Sequence, residues 1–340
     1  MNYAIITLFY ERGLWYLGES LKRHLEKEGH AVEIILHSKQ LEPIVASDFE
    51  GRQIHQVNEL TAGFLREHEI EMVISTEETD FQRTAFIRRC GVGVADIPMI
   101  EQVREDFFMQ GGYNIFDEVW CVTDYTYNIF KKFGYGNAVR KEWDFVDRKW
   151  FASPPEYAIH ENYQFYHPRG WGGQHNRKNT ERIIEAFAEV HKLHPGTELL
   201  ITSQAPIGLN GMELLKHASH EVQTHLPYSY EVRVYEHGIR LINGTISRQM
   251  LAQHYRGCNC VLNPAMREGL GLTFYEARAC GKPVIALDAP PMNELGDVLV
   301  PVSEWTPVKN SLVPLAQCKV ENLAEAMLTQ VKNWQMVGIS

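Results

Sequence analysis

The sequence lacks the hallmarks of several protein classes. Its six cysteines include no Cys-x-x-Cys pair, and no apolar run approaches the roughly 20 residues that a membrane-spanning helix needs. No Gly-x-Gly-x-x-Gly follows a strand pattern, which disfavours a dehydrogenase. The chain shows neither an internal repeat nor a low-complexity tract. These absences favour a globular protein without a cysteine-based metal site or a membrane span.

The cysteines indicate a reducing compartment. Several lie in apolar stretches, where a free thiol packs as a small hydrophobic group: Cys90, Cys121, Cys258, Cys260, Cys280 and Cys318. The apolar segment from Tyr3 to Phe9 lacks a basic leader and a small-residue cleavage site, so we interpret it as a first strand. We therefore expect a cytoplasmic protein.

Length and charge limit the choice further. At 340 residues the chain is long for one hydrophobic core, so two domains are expected. The net charge is -10, and residues 1–155 carry 17 Lys and Arg against 25 Asp and Glu, a balance of -8. An acidic first half disfavours a nucleic-acid partner without excluding one. It also disfavours firm membrane attachment, because no basic amphipathic helix accompanies it.

Short apolar runs alternate with helical patterns along the chain. The predicted strands are Ala4–Phe9, Val32–Leu36, Met72–Ser75, Ile97–Ile100, Val119–Val122, Tyr163–Tyr166, Leu199–Thr202, Arg233–Tyr235, Cys260–Asn263 and Pro283–Leu287. The predicted helices are Leu14–Glu28, Thr79–Arg89, Thr123–Phe133, Asn179–His194, Ser247–Tyr255, Thr273–Cys280 and Val320–Met336. Strands that alternate with helices form parallel sheets covered on both faces.

The alternation breaks between about Asp144 and Glu161, where Pro154 and Pro155 resist both helix and strand. We therefore predict an α/β protein with two doubly wound Rossmann-like domains, at 1–155 and 156–318, that face each other across a cleft. A helix at 319–340 is expected to pack back towards the N-terminal domain. Ligands of such sheets bind beyond the carboxyl ends of the strands.

Glu268 and Glu276 are the most informative pair of residues. A glycine-rich loop, Gly269-Leu270-Gly271, follows the first glutamate, and the second lies in the predicted helix after that loop. A helix N-terminus holds anions, because its first N–H groups are unpaired and its dipole end is positive. Ionised carboxylates repel phosphate but accept hydrogen bonds from sugar hydroxyls. The pattern therefore predicts a ligand that carries both phosphate and sugar.

The segment from Arg267 to Ala286 resembles retaining glycosyltransferases of family 4, which have the GT-B fold. The resemblance rests on Glu268-x7-Glu276, on the glycine loop between them and on the Gly281-Lys282-Pro283-Val284 that follows. Residues 177–179 resemble the donor-phosphate stretch of that family, and residues 199–202 and 241–244 resemble the strands beside its nucleotide pocket. The first half matches more loosely, at 119–123 and 147–151.

The resemblance implies a role for each matching residue. Glu268 would face the donor sugar beside the reacting carbon, and Glu276 would hold the ribose hydroxyls. Lys178 would neutralise the diphosphate leaving group, with Arg177 as its neighbour or substitute, since fixed cations and N–H dipoles stabilise a developing anion. The other donor-side residues would be Gly269, Gly271, Leu272, Thr273, Gly13, Gly172, Gly173 and Asn243.

The chain also departs from the family pattern. Where the family carries an arginine ahead of its phosphate lysine, this chain has Gly172 and Gly173, and Arg169 is the nearest upstream cation. The first loop has Gly13 alone in place of paired glycines. We interpret His254 and Tyr255 as packing residues of their helix.

The resemblance places the donor in the second domain and the acceptor in the first. Four charged residues follow the predicted strands of the first domain and are candidates for the acceptor side: Glu77, Glu78, Glu101 and Arg104. Strand ends of a doubly wound sheet border its ligand site.

We predict that the chain transfers a sugar, with retention, from a nucleotide-diphosphate sugar to a hydroxyl of a soluble saccharide or small molecule. The resemblance implies that no metal is required, and no Asp-x-Asp pair lies near the predicted site. Three alternatives stay open: glycosylation of a modified nucleic-acid base by the same fold, a sugar-nucleotide epimerase, and a non-catalytic module that binds nucleotide sugar. Glycogen-type phosphorylases share the architecture but need a pyridoxal-phosphate lysine, for which no matching context is visible.

Overall fold

The computed structural model describes residues 1–7, 13–37, 54–77, 80–152, 162–171, 176–205, 218–225 and 228–337. The chain divides into two compact units. Unit 1 comprises Met1–Val146, Glu268–Leu270 and Val308–Val313, and unit 2 comprises Asp147–Arg267, Gly271–Pro307 and Pro314–Ser340. Each unit is built around a sheet of its own.

Unit 1 contains a seven-stranded parallel sheet with the order β3-β2-β1-β4-β5-β6-β7. Its strands are β1 (Asn2–Thr7), β2 (Ala31–Leu36), β3 (Ile54–Gln56), β4 (Met72–Thr76), β5 (Gly93–Ile97), β6 (Glu118–Cys121) and β7 (Ala138–Arg140). The strand order reverses between β1 and β4, as it does in doubly wound folds.

Among the described residues of unit 1, five α-helices follow the strands: α1 (Gly13–Lys27), α2 (Ala62–Glu67), α3 (Phe81–Arg89), α4 (Glu105–Met109) and α5 (Asp124–Lys132). Side-chain hydroxyls or carboxylates cap three of them, from Thr61 for α2, Asp80 for α3 and Thr123 for α5, so these starts were visible as Ser/Thr/Asp positions in the sequence. Phe108, Tyr113 and Phe130 lie in the buried core.

Unit 2 contains an eight-stranded sheet with the order β10-β11-β12-β9-β8-β13-β14-β15. Its strands are β8 (Tyr163–Gly170), β9 (Thr197–Ser203), β10 (Ala218–His225), β11 (Tyr228–Tyr235), β12 (Ile239–Gly244), β13 (Cys260–Asn263), β14 (Val284–Leu287) and β15 (Val298–Val300). The six strands from β12 to β15 in this order are parallel, and β10 and β11 extend the β12 edge as antiparallel strands. A separate hairpin pairs β16 (Glu304–Thr306) with β17 (Leu315–Gln317).

The helices of unit 2 are α6 (Arg148–Phe151), α7 (Thr180–Leu193), α8 (Arg248–Gly257), α9 (Leu272–Ala279), α10 (Met292–Leu295) and α11 (Val320–Val337). The last of these packs against α7 and β15 within unit 2. Its expected packing towards the N-terminal domain stays a prediction. None of the described helices is both long and apolar enough to cross a membrane.

The two parallel-dominated sheets confirm the predicted pair of doubly wound domains. The strand predicted at Ile97–Ile100 is wrong, because β5 runs from Gly93 to Ile97. Pro98 follows β5 and has no N–H to donate to a neighbouring strand. The wholly buried Asp96 lies within β5, and its charged side chain made the segment too polar to be predicted as a strand. Strand β10 was also missed, since its polar residues gave no apolar run, and the predicted strand Arg233–Tyr235 covers only the last three residues of β11.

Candidate active site

The strand order of unit 2 reverses between β8 and β13, which lie side by side at the centre of the sheet. The strands that flank them run parallel, so their carboxyl ends share one edge. Helix α7 is the first described helix after β8, and α9 is the first after β13. Crevices at such a reversal are the usual ligand sites of open α/β sheets. Residues 172–175, which include Gly172 and Gly173, lie outside the described residues.

Helix α9 begins without a side-chain cap. Gly271 occupies the N-cap position in the left-handed region, with φ of 69°, a conformation that glycine adopts without steric cost. Having no side chain, it leaves the first N–H groups of the helix, those of Leu272 and Thr273, without the usual capping acceptor. The Phe274 N–H donates to the Gly271 carbonyl at 2.9 Å. The start of α9 is therefore suited to an anion.

A short turn before α7 is fastened to the segment after β13. Asn176 and Asn179 both have left-handed φ, 48° and 60°, which asparagine tolerates better than most residues. The Met266 N–H donates to the Arg177 carbonyl at 2.7 Å, and the Asn179 amide donates to the Pro264 carbonyl at 3.2 Å. These two hydrogen bonds join segments that are far apart in the sequence, and they hold the turn before α7 against the segment after β13.

The predicted cations differ in their surroundings. Arg177 donates from its guanidinium to the Arg267 carbonyl at 3.1 Å, so it helps to hold the turn in place. Lys178 is 9% exposed, and its charge acts on both Glu276 and His167. Burial of an ammonium group is costly unless other groups compensate for the lost water. Lys178 is therefore the better candidate of the two for contact with an anionic ligand.

Glu276 lies on α9, and its carboxyl is buried. Loss of water raises its pKa, while the Tyr255 phenol that faces it and the charges of Arg248 and Lys178 lower it. Tyr255 is itself wholly buried on α8, and its ring meets that of Tyr166 edge to face at 5.0 Å. Residues of β8, α8 and α9 thus surround one carboxyl group. Tyr255 is buried against Tyr166, as predicted for a packing residue, and its hydroxyl makes no hydrogen bond to the described residues.

His167 is a residue of this region that sequence reasoning missed. One ring nitrogen, Nδ1, lies 2.9 Å from the Leu262 carbonyl, and the other, Nε2, lies 3.0 Å from the Thr180 hydroxyl. A carbonyl only accepts, so we assign the proton to Nδ1. Burial lowers the pKa of His167 to about 3, with smaller contributions from Lys178 and Arg169. The neutral imidazole ties β8 to β13 and to the start of α7, which positions the turn that carries Lys178.

Asn243 and Arg169 lie near the end of β9. With its amide oriented to satisfy both groups, Asn243 donates to the Ala205 carbonyl at 2.9 Å and to the Ser203 carbonyl at 3.2 Å. The Arg169 guanidinium donates to the Ser203 hydroxyl at 2.7 Å and to the Ala205 carbonyl at 3.2 Å. Both residues therefore shape the backbone at this edge. The donor-binding role of Asn243 stays a prediction.

A second asparagine completes the edge. Asn263 ends β13 and is 1% exposed, and its side-chain nitrogen meets no acceptor among the residues that the structure describes. A buried amide without an acceptor is costly. Its position at the end of a predicted strand was the sequence signal that could have identified it.

Glu268 and Gly269 belong to the short segment Glu268–Leu270, which is part of unit 1, whereas the residues on either side of it are part of unit 2. Glu268 is buried, with 4% of its surface exposed. A Cβ atom placed on Gly269 would lie 2.8 Å from Met99 and would also clash with the Glu101 carboxylate. Any side chain at position 269 would clash with these neighbours, so the packing requires glycine directly after Glu268.

The predicted acceptor-side residues lie after neighbouring strands of unit 1. Glu77 follows β4 with a left-handed φ of 58°, and its N–H donates to the Ile97 carbonyl at 3.1 Å. Glu101 follows β5 and is buried. Arg104 is exposed and pairs with Asp106 at 2.6 Å. Gly13 begins α1, and Glu78 lies outside the described residues.

Comparison with known proteins agrees with the second half of the site. Residues 173–296 match the family model described as glycosyl transferases group 1. This stretch contains Lys178, Glu268 and Glu276. A comparison with curated proteins finds no significant match.

Solved structures resemble the chain over 82–99% of its length. Sucrose-phosphate synthase from Thermosynechococcus elongatus has a TM-score of 0.65 at 14% identity, with 98% of this chain and 90% of that chain covered. UDP-GlcNAc 2-epimerase from Neisseria meningitidis, solved with UDP-GlcNAc, has a TM-score of 0.60 at 12% identity, with 99% and 92% covered. The pneumococcal O-GlcNAc transferase GtfA, in complex with UDP and GlcNAc, has a TM-score of 0.56 at 16% identity, with 82% and 53% covered. These likenesses confirm the predicted GT-B fold.

Proposed function

We propose that this chain is a retaining glycosyltransferase of the family 4 type, which moves a sugar from a nucleotide-diphosphate sugar to a hydroxyl of a soluble saccharide or small molecule. One observation carries the proposal. Within a segment that matches group 1 glycosyl transferases, Lys178 and Glu276 are buried and the charge of Lys178 acts on Glu276, which lies on the helix that begins uncapped at Gly271. A cation, a carboxylate and uncapped N–H groups together suit a ligand with phosphate and sugar.

The diphosphate would lie between Lys178 and the start of α9. Cleavage of the bond between the anomeric carbon and the phosphate oxygen places negative charge on that oxygen. Lys178 and the N–H groups of Leu272 and Thr273 would stabilise this charge without rearranging, because the turn and the helix are already held in place. Arg177 would support Lys178 by holding the turn.

The ribose would bind to Glu276. Burial raises the pKa of this carboxyl overall, and its neighbours Arg248 and Lys178 reduce that rise. An ionised carboxylate is an acceptor only, and the two ribose hydroxyls are donors that match its two oxygens. The buried position excludes water that would compete for those hydrogen bonds.

Glu268 is proposed to face the sugar that is transferred. In the retaining reaction the acceptor oxygen attacks the anomeric carbon from the face that the diphosphate leaves. The new carbon–oxygen bond forms as the carbon–phosphate-oxygen bond breaks, and the acceptor proton passes to the departing phosphate. The diphosphate serves as the base, so Glu77 and Glu101 would orient the acceptor rather than accept its proton.

We propose UDP as the nucleotide to test first. Two of the similar solved structures contain UDP-GlcNAc or UDP as a ligand. Purified protein would be screened by thermal shift against UDP, GDP, ADP and their common sugar conjugates. A ligand that binds only the folded state raises the melting temperature by mass action, about 2.7 kcal/mol of stability at 100 times its dissociation constant.

Epimerisation is the second candidate, because structures of UDP-GlcNAc 2-epimerases share this fold over nearly the whole chain. The two reactions differ in their products. A transferase incubated with donor and a panel of hydroxyl acceptors releases nucleotide diphosphate and forms a glycoside. An epimerase yields the epimeric nucleotide sugar and needs no acceptor. Chromatography of the nucleotide pool distinguishes them, and binding without either product would support a non-catalytic module instead.

A further inference from the structure

Glu33, His55 and His68 form a compact group of metal-type ligands in unit 1. Their donor atoms all lie within 4.8 Å of one another, and no other three side chains of His, Cys, Asp or Glu come together in this way in the described part of the chain. None of the three belongs to the proposed donor or acceptor sites. The proposed sugar-transfer reaction therefore does not account for this group of ligands.

Three separate elements bring the ligands together. Glu33 lies on β2 on the same face as Ile35, because side chains alternate along a strand. His55 lies on the edge strand β3, where it pairs with Ile35. His68 is the first residue after α2. A bound ion would tie the sheet edge and the helix to β2.

Each imidazole lies at the spacing of two metal ligands from one oxygen of the Glu33 carboxylate. His55 Nε2 lies 3.3 Å from one oxygen of Glu33, and His68 Nδ1 lies 3.3 Å from the other. Bonds of roughly 2.0–2.2 Å in tetrahedral geometry place two zinc ligands roughly 3.3–3.6 Å apart. Both imidazoles already stand at this spacing from the carboxylate.

The surroundings orient both imidazoles. His55 is 4% exposed, and its second nitrogen, Nδ1, lies 3.4 Å from the Glu59 carboxylate. Glu59 is held in turn by the Gln56 N–H at 2.8 Å. The Phe64 ring stacks on His68 at 4.2 Å and meets His55 edge to face at 4.7 Å. A carboxylate behind a metal-binding histidine fixes the ring and strengthens the ligand.

We propose that Glu33, His55 and His68 bind a divalent transition-metal ion, with Zn²⁺ as the best match, and that Glu59 positions His55. Imidazole and carboxylate ligands in tetrahedral geometry suit Zn²⁺, which would complete its four-coordinate shell with water. The ion would stabilise the β2–β3 edge of unit 1 and takes no part in sugar transfer. Simple ion pairing between the histidines and Glu33 is the competing explanation, and it gives no affinity for zinc.

The test is calorimetric titration of the full chain with Zn²⁺ after removal of metals. We expect one Zn²⁺ per chain and no response to Mg²⁺. His68→Gln removes a ligand on a partly exposed residue and should weaken binding at least tenfold. Glu59→Gln keeps all three ligands and should weaken binding about 10- to 100-fold. His24→Gln is the matched control, since His24 also pairs with one glutamate, Glu28, at 3.6 Å, and it should bind as the wild type does.

A thermal melt provides a readout that does not depend on enzyme activity. Zn²⁺ should raise the melting temperature of the wild type and of His24→Gln, but not that of His68→Gln. If His68→Gln fails to fold, Glu33→Gln tests the same site. The proposal is overturned if the wild type binds no stoichiometric zinc, or if loss of His68 or Glu33 leaves the affinity unchanged.

Discussion

Lys178 and Glu276 influence each other electrostatically although 97 residues separate them in the sequence, and both are buried in unit 2. The turn before α7 supplies the lysine, and α9 supplies the glutamate. Burial keeps water from screening the lysine charge, so Lys178 lowers the pKa of the Glu276 carboxyl and partly offsets the larger rise that burial causes. The pair is the strongest structural sign of a site for phosphate and sugar.

Loss of the Glu276 carboxylate should weaken nucleotide binding. Hydrogen bonds to a charged group contribute about 1.5–3 kcal/mol, so Glu276→Gln should raise the dissociation constant of UDP, or of the nucleotide found in the screen, about 10- to 150-fold. The control is Glu185→Gln, an exposed glutamate on α7. Calorimetry measures both. Equal affinity in the two variants would remove Glu276 from the ribose site.

Removal of Lys178 should affect turnover more than folding. A fixed group that stabilises a developing anion is worth about 100- to 1,000-fold in kcat, and Lys178→Ala should lose that factor in the rate of nucleotide diphosphate release. Lys192→Ala replaces an exposed lysine of α7 that pairs with Glu189 and should turn over normally. Undiminished kcat in Lys178→Ala would rule out a role in leaving-group stabilisation.

The two glycines that border α9 offer a matched test of the phosphate site. Gly271 at its start and Gly281 past its end have nearly equal left-handed φ, 69° and 66°. An alanine should cost about 1–2 kcal/mol of stability at either place. Only Gly271→Ala should also weaken nucleotide binding, because it disturbs the N–H groups that would meet the phosphate. Similar binding losses in both variants would mean that strain alone explains the effect.

His167 should make the protein sensitive to acid. Its folded pKa of about 3 lies below its unfolded value of 6.5, so the unfolded chain binds the proton first. Its contribution is complete above pH 6.5 and is lost as the pH falls towards 3, at up to about 1.4 kcal/mol per pH unit. Melting temperatures at pH 7, 6 and 5 should fall more steeply for the wild type than for His167→Gln. Parallel curves would contradict a buried neutral histidine.

Local patterns in the sequence predicted much of this region. Cys260–Asn263 was predicted as a strand with its observed bounds, and α9 lies one residue from its predicted position. The glycine loop indicated the helix start at Gly271, because glycine adopts the left-handed backbone conformation without steric cost. These features depend on neighbours in sequence, which a single chain displays directly.

Contacts between distant segments were not predictable in this way. His167 bridges β8, β13 and α7, but in the sequence it is one histidine in an apolar run. Arg248 and Tyr255 reach Glu276 only because α8 and α9 pack together. Asn243 was predicted to bind the donor from the family resemblance, and the hydrogen bonds of its amide to the backbone of the adjacent strand end were not predicted. The sheet order decides each of these contacts, and no local pattern encodes it.

The measurement that bears most directly on the central claim is proton NMR of the complete reaction, with the nucleotide sugar that the thermal-shift screen identifies and a hydroxyl acceptor. We predict release of nucleotide diphosphate together with a glycoside whose anomeric configuration equals that of the donor sugar. A glycoside of the opposite configuration, or an epimerised nucleotide sugar without release of the diphosphate, would contradict the account.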